Sequence, residues 1–179
     1  MKKLLTVASM LLLGASLSHA QSSNTATANL SVTVGAEAAI VVNSSPAFTS
    51  SGIFGNYTST TALTYYVRTI TSGTVTVEIT TDFSTGGANG GPSVASPPTS
   101  GDLLTYSCTA AAPSIGTATP CSSAVTASTT TATSVVAFGS NTQSAKAGNS
   151  ASTSWTLTND PSYKAGSYTA VATYTIAAV

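Results

Sequence analysis

The chain has 179 residues, of which only 6% are charged, and its formal net charge is zero. Residues 21–179 carry a net charge of −2 and contain no histidine, because the one histidine of the chain is His19. This composition excludes a basic surface for nucleic acid or for an anionic membrane, since both need clusters of Lys or Arg.

The first 20 residues have the profile of a bacterial-type signal peptide. Two lysines are followed by an apolar run, Leu4–Leu17, and the segment ends in Ser18-His19-Ala20. The apolar run is too short to span a bilayer, and no later stretch reaches about 20 consecutive apolar residues. We therefore expect residues 1–20 to direct export through the periplasm. The mature chain, from Gln21, is expected outside the cell or at its surface, with no transmembrane segment.

Residues 21–35 are predicted as an N-terminal extension in which apolar side chains recur with a period of two. This period places the apolar side chains on one face of an extended chain and Thr, Asn and Ser on the other. The apolar positions are Ala26, Ala28, Leu30, Val32 and Val34. The alternation continues to Val42, which is too long for one ordinary strand, and Gly35 is the natural break. Two interpretations stay open: a donor strand that pairs with another copy, or a first strand that is bent at Gly35 and shared between two sheets of its own domain.

Residues 36–179 show further strand patterns separated by Gly, Pro, Ser and Asn turns. Alternation in 63–70 and in 75–79, with a turn between them, predicts a β-hairpin. Residues 84–101 are predicted as a long loop, and the remaining strands are expected near 103–108, 133–138, 152–157 and 168–176. No segment has a helical repeat of adequate length. The pattern predicts an all-β domain, an immunoglobulin-like antiparallel β-sandwich preceded by an extension strand, rather than a disordered Ser/Thr-rich stalk.

Three further features indicate structural roles. Cys108 and Cys121 lie in a loop-rich part of an exported chain, where thiols are oxidised, so a disulfide is predicted between them. Trp155 lies on an alternating strand, which favours a place in the core over stacking against carbohydrate. Tyr168 follows a Lys-Ala-Gly turn before the last strand, which is typical of a corner where a tyrosine hydroxyl bonds to backbone.

The sequence offers no constellation for catalysis. General acid–base and nucleophilic mechanisms usually use histidine, and residues 21–179 have none. The five acidic residues are scattered without the spacing of a paired-carboxylate site. We therefore expect no enzymatic activity and no cofactor. Calcium stays an open alternative, because Asp82, Asp102 and Asp160 lie in or beside predicted loops.

The two ends of the chain carry a resemblance to a known family. The extension at 21–35 and the last strand, which begins Ala165-Gly166-Ser167-Tyr168 and continues through Thr169–Ile176, resemble the spore coat protein U and archaic chaperone-usher pilin family. Members commonly have a cysteine early in the first strand, where this chain has Ile40, Val41 and Val42. The resemblance implies assembly by donor-strand complementation, a periplasmic chaperone and an outer-membrane usher as partners, and fimbriae that serve cell adhesion and biofilm formation.

These observations lead to two hypotheses for function. The first is a structural subunit of an extracellular fibre, pilus or surface layer, in which copies of the chain bind one another by β-strand exchange. Ala26, Ala28, Leu30, Val32 and Val34 would then be the subunit–subunit contacts. The second is a secreted monomeric module that binds glycans or surfaces through exposed aromatic side chains, for which Tyr57, Tyr65 and Tyr66 are candidates.

Overall fold

The computed structural model describes residues 27–45, 47–84, 87 and 90–178. Contacts between Cα atoms separate a compact unit, Val34–Val179, from an N-terminal unit that ends at Thr33. The described part of the compact unit contains ten strands and no α-helix. The strands are β1 (Glu37–Val42), β2 (Thr49–Ser50), β3 (Tyr57–Arg68), β4 (Gly73–Thr81), β5 (Leu104–Ala110), β6 (Ala118–Pro120), β7 (Val125–Thr126), β8 (Thr133–Phe138), β9 (Asn149–Leu157) and β10 (Val171–Ala178).

The strands form two antiparallel sheets that pack face to face, which confirms the predicted all-β sandwich. The first sheet has the order β1-β3-β9-β5-β7, and β2 extends it by pairing with the start of β3. The second sheet has the order β10-β4-β8-β6. Across the described residues, no helix is long and apolar enough to cross a membrane.

The period-two alternation of the sequence becomes the inner and outer faces of each sheet. In β3, Leu63, Tyr65 and Val67 point into the core and are almost fully buried. In β4, the buried side chains are Val75, Val77 and Ile79. Burial of one large apolar side chain contributes roughly 1.5–3 kcal/mol, so these two strands supply a large part of the core energy.

The connection between β3 and β4 corrects one prediction. These strands do not form a hairpin, because β3 pairs with β1 and β9 whereas β4 pairs with β10 and β8 in the other sheet. Residues 69–72 carry the chain across the sandwich, and the Thr69 backbone N–H donates to the Thr142 carbonyl at 3.0 Å. The crossing lets the apolar faces of both strands meet in the core.

The predicted disulfide is present and joins the two sheets. Cys108 lies in β5 of the first sheet, Cys121 directly follows β6 of the second, and their Cα atoms are 5.3 Å apart. The bond fastens the side of the sandwich that is opposite to β1 and β10, which are the edge strands on the other side.

Two aromatic side chains have the structural roles that the sequence predicted. Trp155 is buried, and its indole N–H donates to the hydroxyl of Thr61 at 3.0 Å. The Tyr168 hydroxyl donates to the Lys164 carbonyl at 2.8 Å, which fixes the corner before β10. Its ring lies against Gly91, where a Cβ atom would come within 2.2 Å of the ring.

Candidate functional site

The edge strands β1 and β10 of the two sheets lie close together, but the sandwich is open beside the first half of β10, beyond the end of β1 at Val42. A groove of about 1080 Å³ lies there and extends toward the end of the domain where β10 begins. The residues that line it come from both sheets and from the loops before β3 and β10. Those with large apolar side chains are Val42, Phe48, Phe54, Tyr57, Ile79, Phe83, Leu104, Trp155, Leu157, Tyr168 and Tyr174.

The groove reaches the hydrophobic core itself. Its floor includes Ile79, Trp155 and Leu157, which belong to the buried core cluster. The inward side chains of β4 are almost fully buried, whereas Ala172 and Tyr174, which point inward from the neighbouring β10, are only half-buried. The sandwich therefore lacks one layer of side chains on the free side of β10.

Small residues create the space in the groove. Ala170 and Ala172 line it from the β10 side, and the larger Trp155 and Leu157 line it from β9 in the facing sheet. An alanine leaves room that a leucine or valine in the same position would fill. The small side chains of Ala170 and Ala172 thus leave a volume between the sheets that side chains of another chain could fill.

Tyr174 closes the inner end of the groove. Its hydroxyl forms a 2.5 Å hydrogen bond with the hydroxyl of Thr153, a fully buried residue of β9. The tyrosine therefore spans both sheets. Burial raises the pKa of its hydroxyl, and the hydrogen bonds from Thr153, Thr61 and Trp155 oppose that rise.

Charged groups occur only at the mouth of the groove. Among its described lining residues, Asp160 and Lys164 are the charged ones. Hydrogen bonds from Thr99 and Ser162 lower the pKa of Asp160 to about 2. The interior of the groove is apolar and uncharged, so it suits hydrophobic side chains rather than a polar substrate.

Tyr163 ties the mouth of the groove to the rest of the domain. Its hydroxyl donates to Oδ2 of the buried Asp102 at 2.9 Å. Burial, this hydrogen bond and the charge of Asp102 raise the pKa of the Tyr163 hydroxyl well above its usual range. The hydroxyl therefore stays protonated, and the contact holds the loop before β10 in place.

The backbone of β10 is available along the groove. Within the described part of the chain, β10 pairs with β4 on one side and with no strand on the other. The part of β10 that lines the groove, Val171–Tyr174, presents about 13 Å of strand edge. An unpaired edge beside an apolar groove is the arrangement that accepts an added β-strand.

The predicted donor residues are exposed. Leu30 is 96% and Val32 85% exposed, and Ala28 and Val34 are exposed as well. Residues 27–36 belong to no strand, and β1 begins at Glu37. Ala26 and the predicted signal peptide lie outside the described residues.

The aromatic residues proposed for glycan binding do not form a common site. Tyr65 is fully buried and its hydroxyl donates to the Ala111 carbonyl, so its prediction as a surface residue was wrong. Tyr57 is half-buried and lines the groove, whereas Tyr66, which follows Tyr65 in the sequence, lies on the outer face of β3. The alternation already separates them, because Tyr65 is in phase with Leu63 and Val67.

The loop aspartates are engaged in local structure. Asp82 accepts hydrogen bonds from the backbone N–H groups of Phe83, Val94 and Ala95 and from the Ser93 hydroxyl, all at 2.7–3.1 Å. The described residues contain no group of three or more His, Cys, Asp or Glu side chains that could hold a metal ion.

Comparison with known proteins adds no identification. No protein-family model, no curated protein and no solved structure matches the chain. The functional argument therefore rests on the groove and on the strand edge beside it.

One local signal for the groove is the size of the inward-facing residues at the start of the last strand. The small Ala170 and Ala172 lie on the same face as the large Tyr174, and this contrast in size marks the position of the groove along the strand. Phe48 and Phe54, which lie in segments outside the predicted strands, could not be assigned to the groove from local pattern.

Proposed function

We propose that the protein is the structural subunit of an extracellular fibre, in which the extension of one copy fills the groove of the next. The observation that carries this proposal is the coincidence of an apolar groove with an unpaired strand edge along β10. The chain itself contains a segment of the matching kind, with exposed apolar side chains at every second position.

The dimensions of the segment and of the strand edge agree. Leu30–Val34, which holds the large apolar side chains of the extension, spans about 16 Å when extended, against about 13 Å for the groove-lining part of β10, Val171–Tyr174. In an added strand, Ala28, Leu30, Val32 and Val34 would all face the groove. Thr27, Asn29, Ser31 and Thr33 would face solvent, which suits their polarity.

The energy of this exchange is mainly hydrophobic. Full burial of a valine or leucine side chain contributes roughly 1.5–3 kcal/mol, and the three large side chains of the extension are all exposed before exchange. Backbone hydrogen bonds to β10 add to this. Because each copy both donates and accepts, the contact is heterologous, and a head-to-tail contact that does not close produces a filament.

The proposal includes the cellular setting that the sequence indicates. A signal peptide at residues 1–20 would deliver the chain to the periplasm, and a chaperone would cover the groove before an usher assembles the fibre. This setting is supported by the resemblance to the archaic chaperone-usher pilin family. Adhesion and biofilm formation are the roles such a fibre would serve.

Truncation tests the proposal. The chain from residue 21 should polymerise, whereas a chain that lacks residues 21–34 should stay a folded monomer by size-exclusion chromatography and electron microscopy. If the truncated chain unfolds, residues 21–34 belong to their own domain and the proposal fails.

A pair of matched variants refines this test. Leu30→Asp with Val32→Asp places charges on the predicted groove face, whereas Ser31→Asp with Thr33→Asp places the same charges on the other face. Polymers are expected only from the second variant. Equal polymerisation of both variants would contradict insertion of this face into the groove.

A further inference from the structure

The two ends of the sandwich are distinguished by the direction of its strands. β3 runs from the end that carries the β2–β3 loop, here called the tip, to the opposite end, here called the base. Residues 69–72 return the chain at the base into β4, and β10 is antiparallel to β4, with Ala178 opposite Gly73. The strand β10 therefore begins at the tip and ends at the base.

The tip presents two large apolar side chains to solvent. Ile53 is 94% exposed, and Phe54 is also exposed although it lines the mouth of the groove. The loop has a fixed shape, because the Ser50 hydroxyl bonds to the carbonyls of Gly52 and Gly55 at 2.6 and 3.0 Å. Phe54 has a φ of 53°, a left-handed conformation that is rare for an aromatic residue and that costs about 1–3 kcal/mol. Such a cost points to a functional constraint at the tip.

The base presents a second apolar patch. Ile70 is 76% exposed and Ile115 is exposed as well. Ile115 exchanges backbone hydrogen bonds with Gln143 at 3.1 and 2.9 Å, and Thr69, which precedes Ile70 in the chain, bonds to the adjacent Thr142. Isolated exposed isoleucines are ordinary, but here they are grouped at the end of the domain.

The base is also the end from which the extension departs. The Arg68 guanidinium donates through Nε to the Gly35 carbonyl at 3.1 Å, and its Nη2 pairs with Glu37 at 2.7 Å. Arg68 is the last residue of β3 and therefore lies at the base. The start of the compact unit is held at this end.

The direction of strand addition places tip and base together in a fibre. Every strand pair in both sheets is antiparallel, so an added strand that continues this pattern runs antiparallel to β10. It would run from base to tip of the accepting copy, and its Val34 would emerge at the tip. Only Gly35 and Ala36 separate Val34 from β1, so the base of the donating copy would lie beside that tip.

We propose that Ile53 and Phe54 at the tip of the accepting copy pack against Ile70 and Ile115 at the base of the donating copy. This second contact rests on the proposed strand exchange. The two patches are too small for a stable complex of separate monomers, which usually buries at least 1,000 Å² or so. The inserted strand raises the local concentration of the patches, so that the contact forms only within the fibre and sets the angle between successive subunits.

Cysteine pairs test this contact in the chain from residue 21, with its native disulfide intact. Ile53→Cys with Ile70→Cys should give covalent ladders on denaturing gels after a short bis-maleimide crosslinker is added to fibres. The control pair Ile53→Cys with Thr60→Cys places the second thiol on the exposed outer face of β3. We expect at least 10-fold more crosslinked subunits from the first pair.

The outcomes separate the two proposals. Intact fibres in which Ile53→Cys with Ile70→Cys crosslinks no better than the control pair would overturn the tip-to-base contact and leave strand exchange standing. Fibres that never form from the unmodified chain would overturn strand exchange and this contact with it. Ile53→Asp should still polymerise but give fibres whose persistence length by electron microscopy is several-fold shorter, and an unchanged persistence length would also overturn the contact.

Discussion

Ala172 is the residue whose size most directly controls the groove. It points inward from β10 and is only half-buried, so a larger side chain at this position would occupy the space that an inserted strand needs. Ala172→Phe should abolish polymerisation, or slow it at least 10-fold, while the monomer keeps or gains thermal stability because the groove is filled from within.

The outward-facing Thr175 on the same strand provides the control. Thr175→Phe adds the same ring to the same strand, but on the face that an inserted strand would not contact. Polymerisation followed by light scattering should therefore match that of the unsubstituted chain. If both variants fail to polymerise, or if both polymerise normally, the groove is not the site that polymerisation requires.

Prediction from the sequence succeeded for residues whose role follows from one chemical property, and it failed for one residue of a regularly alternating strand. Trp155 and the Cys108–Cys121 pair were assigned correctly, because each follows from one local property. Tyr65 was misassigned because two adjacent tyrosines look equivalent by composition, although only one is in phase with the core residues of β3. The role of Ala172 could not be predicted, since an alanine shows its effect only when the facing side chains are known.

At the scale of elements, Asp82 fixes the loop that follows β4. Burial alone would raise the pKa of its carboxyl, but the hydrogen bonds from Ser93, Val94, Ala95 and Phe83 outweigh it and hold the pKa below its ordinary value. A carboxyl whose pKa is lower in the folded state stabilises the fold at pH values above its unfolded pKa of about 3.9. This stabilisation is lost as the pH falls through the folded pKa. The free energy of unfolding should therefore decrease as the pH is lowered below about 4.

Asp82→Asn tests this dependence. The amide cannot accept all four hydrogen bonds, so the variant should be less stable than the unsubstituted chain at pH 7, and the two should converge as the pH falls below 4. Urea unfolding at several pH values measures the difference. If the free energies of unfolding of the two chains differ by the same amount from pH 7 to pH 2, the charge of Asp82 does not stabilise the fold.

The connection between β3 and β4 shows why the order of strands in the sheets could not be predicted from the sequence. Two alternating segments joined by a short turn fit a hairpin and a crossing between sheets equally well, because both place the apolar faces inward. The choice depends on partners that are distant in sequence, such as β9 for β3 and β10 for β4. Local pattern thus predicted the existence of the strands but not their neighbours.

At the scale of the whole molecule, the sandwich is fastened on one side and open on the other. The disulfide joins the sheets near β5 and β6, whereas the groove opens on the opposite side, beside the first half of β10. The sequence predicted a sandwich with a spare strand. It could not predict the groove, because a groove depends on which strands become edges after folding.

Binding of the extension to this groove can be measured with a separate peptide. A peptide of residues 24–36 would be titrated into a domain of residues 35–179 while thermal unfolding is measured. A peptide of the same composition, in which Leu30 exchanges with Ser31 and Val32 with Thr33, is the control, because the exchange moves two of the three large side chains to the other face and leaves only Val34 in place. We expect the native peptide to raise the melting temperature by about 5–10 °C at a concentration of 100 times its Kd, and the control peptide to leave it unchanged. Equal effects of the two peptides, or no effect of either, would contradict binding of the extension to this groove.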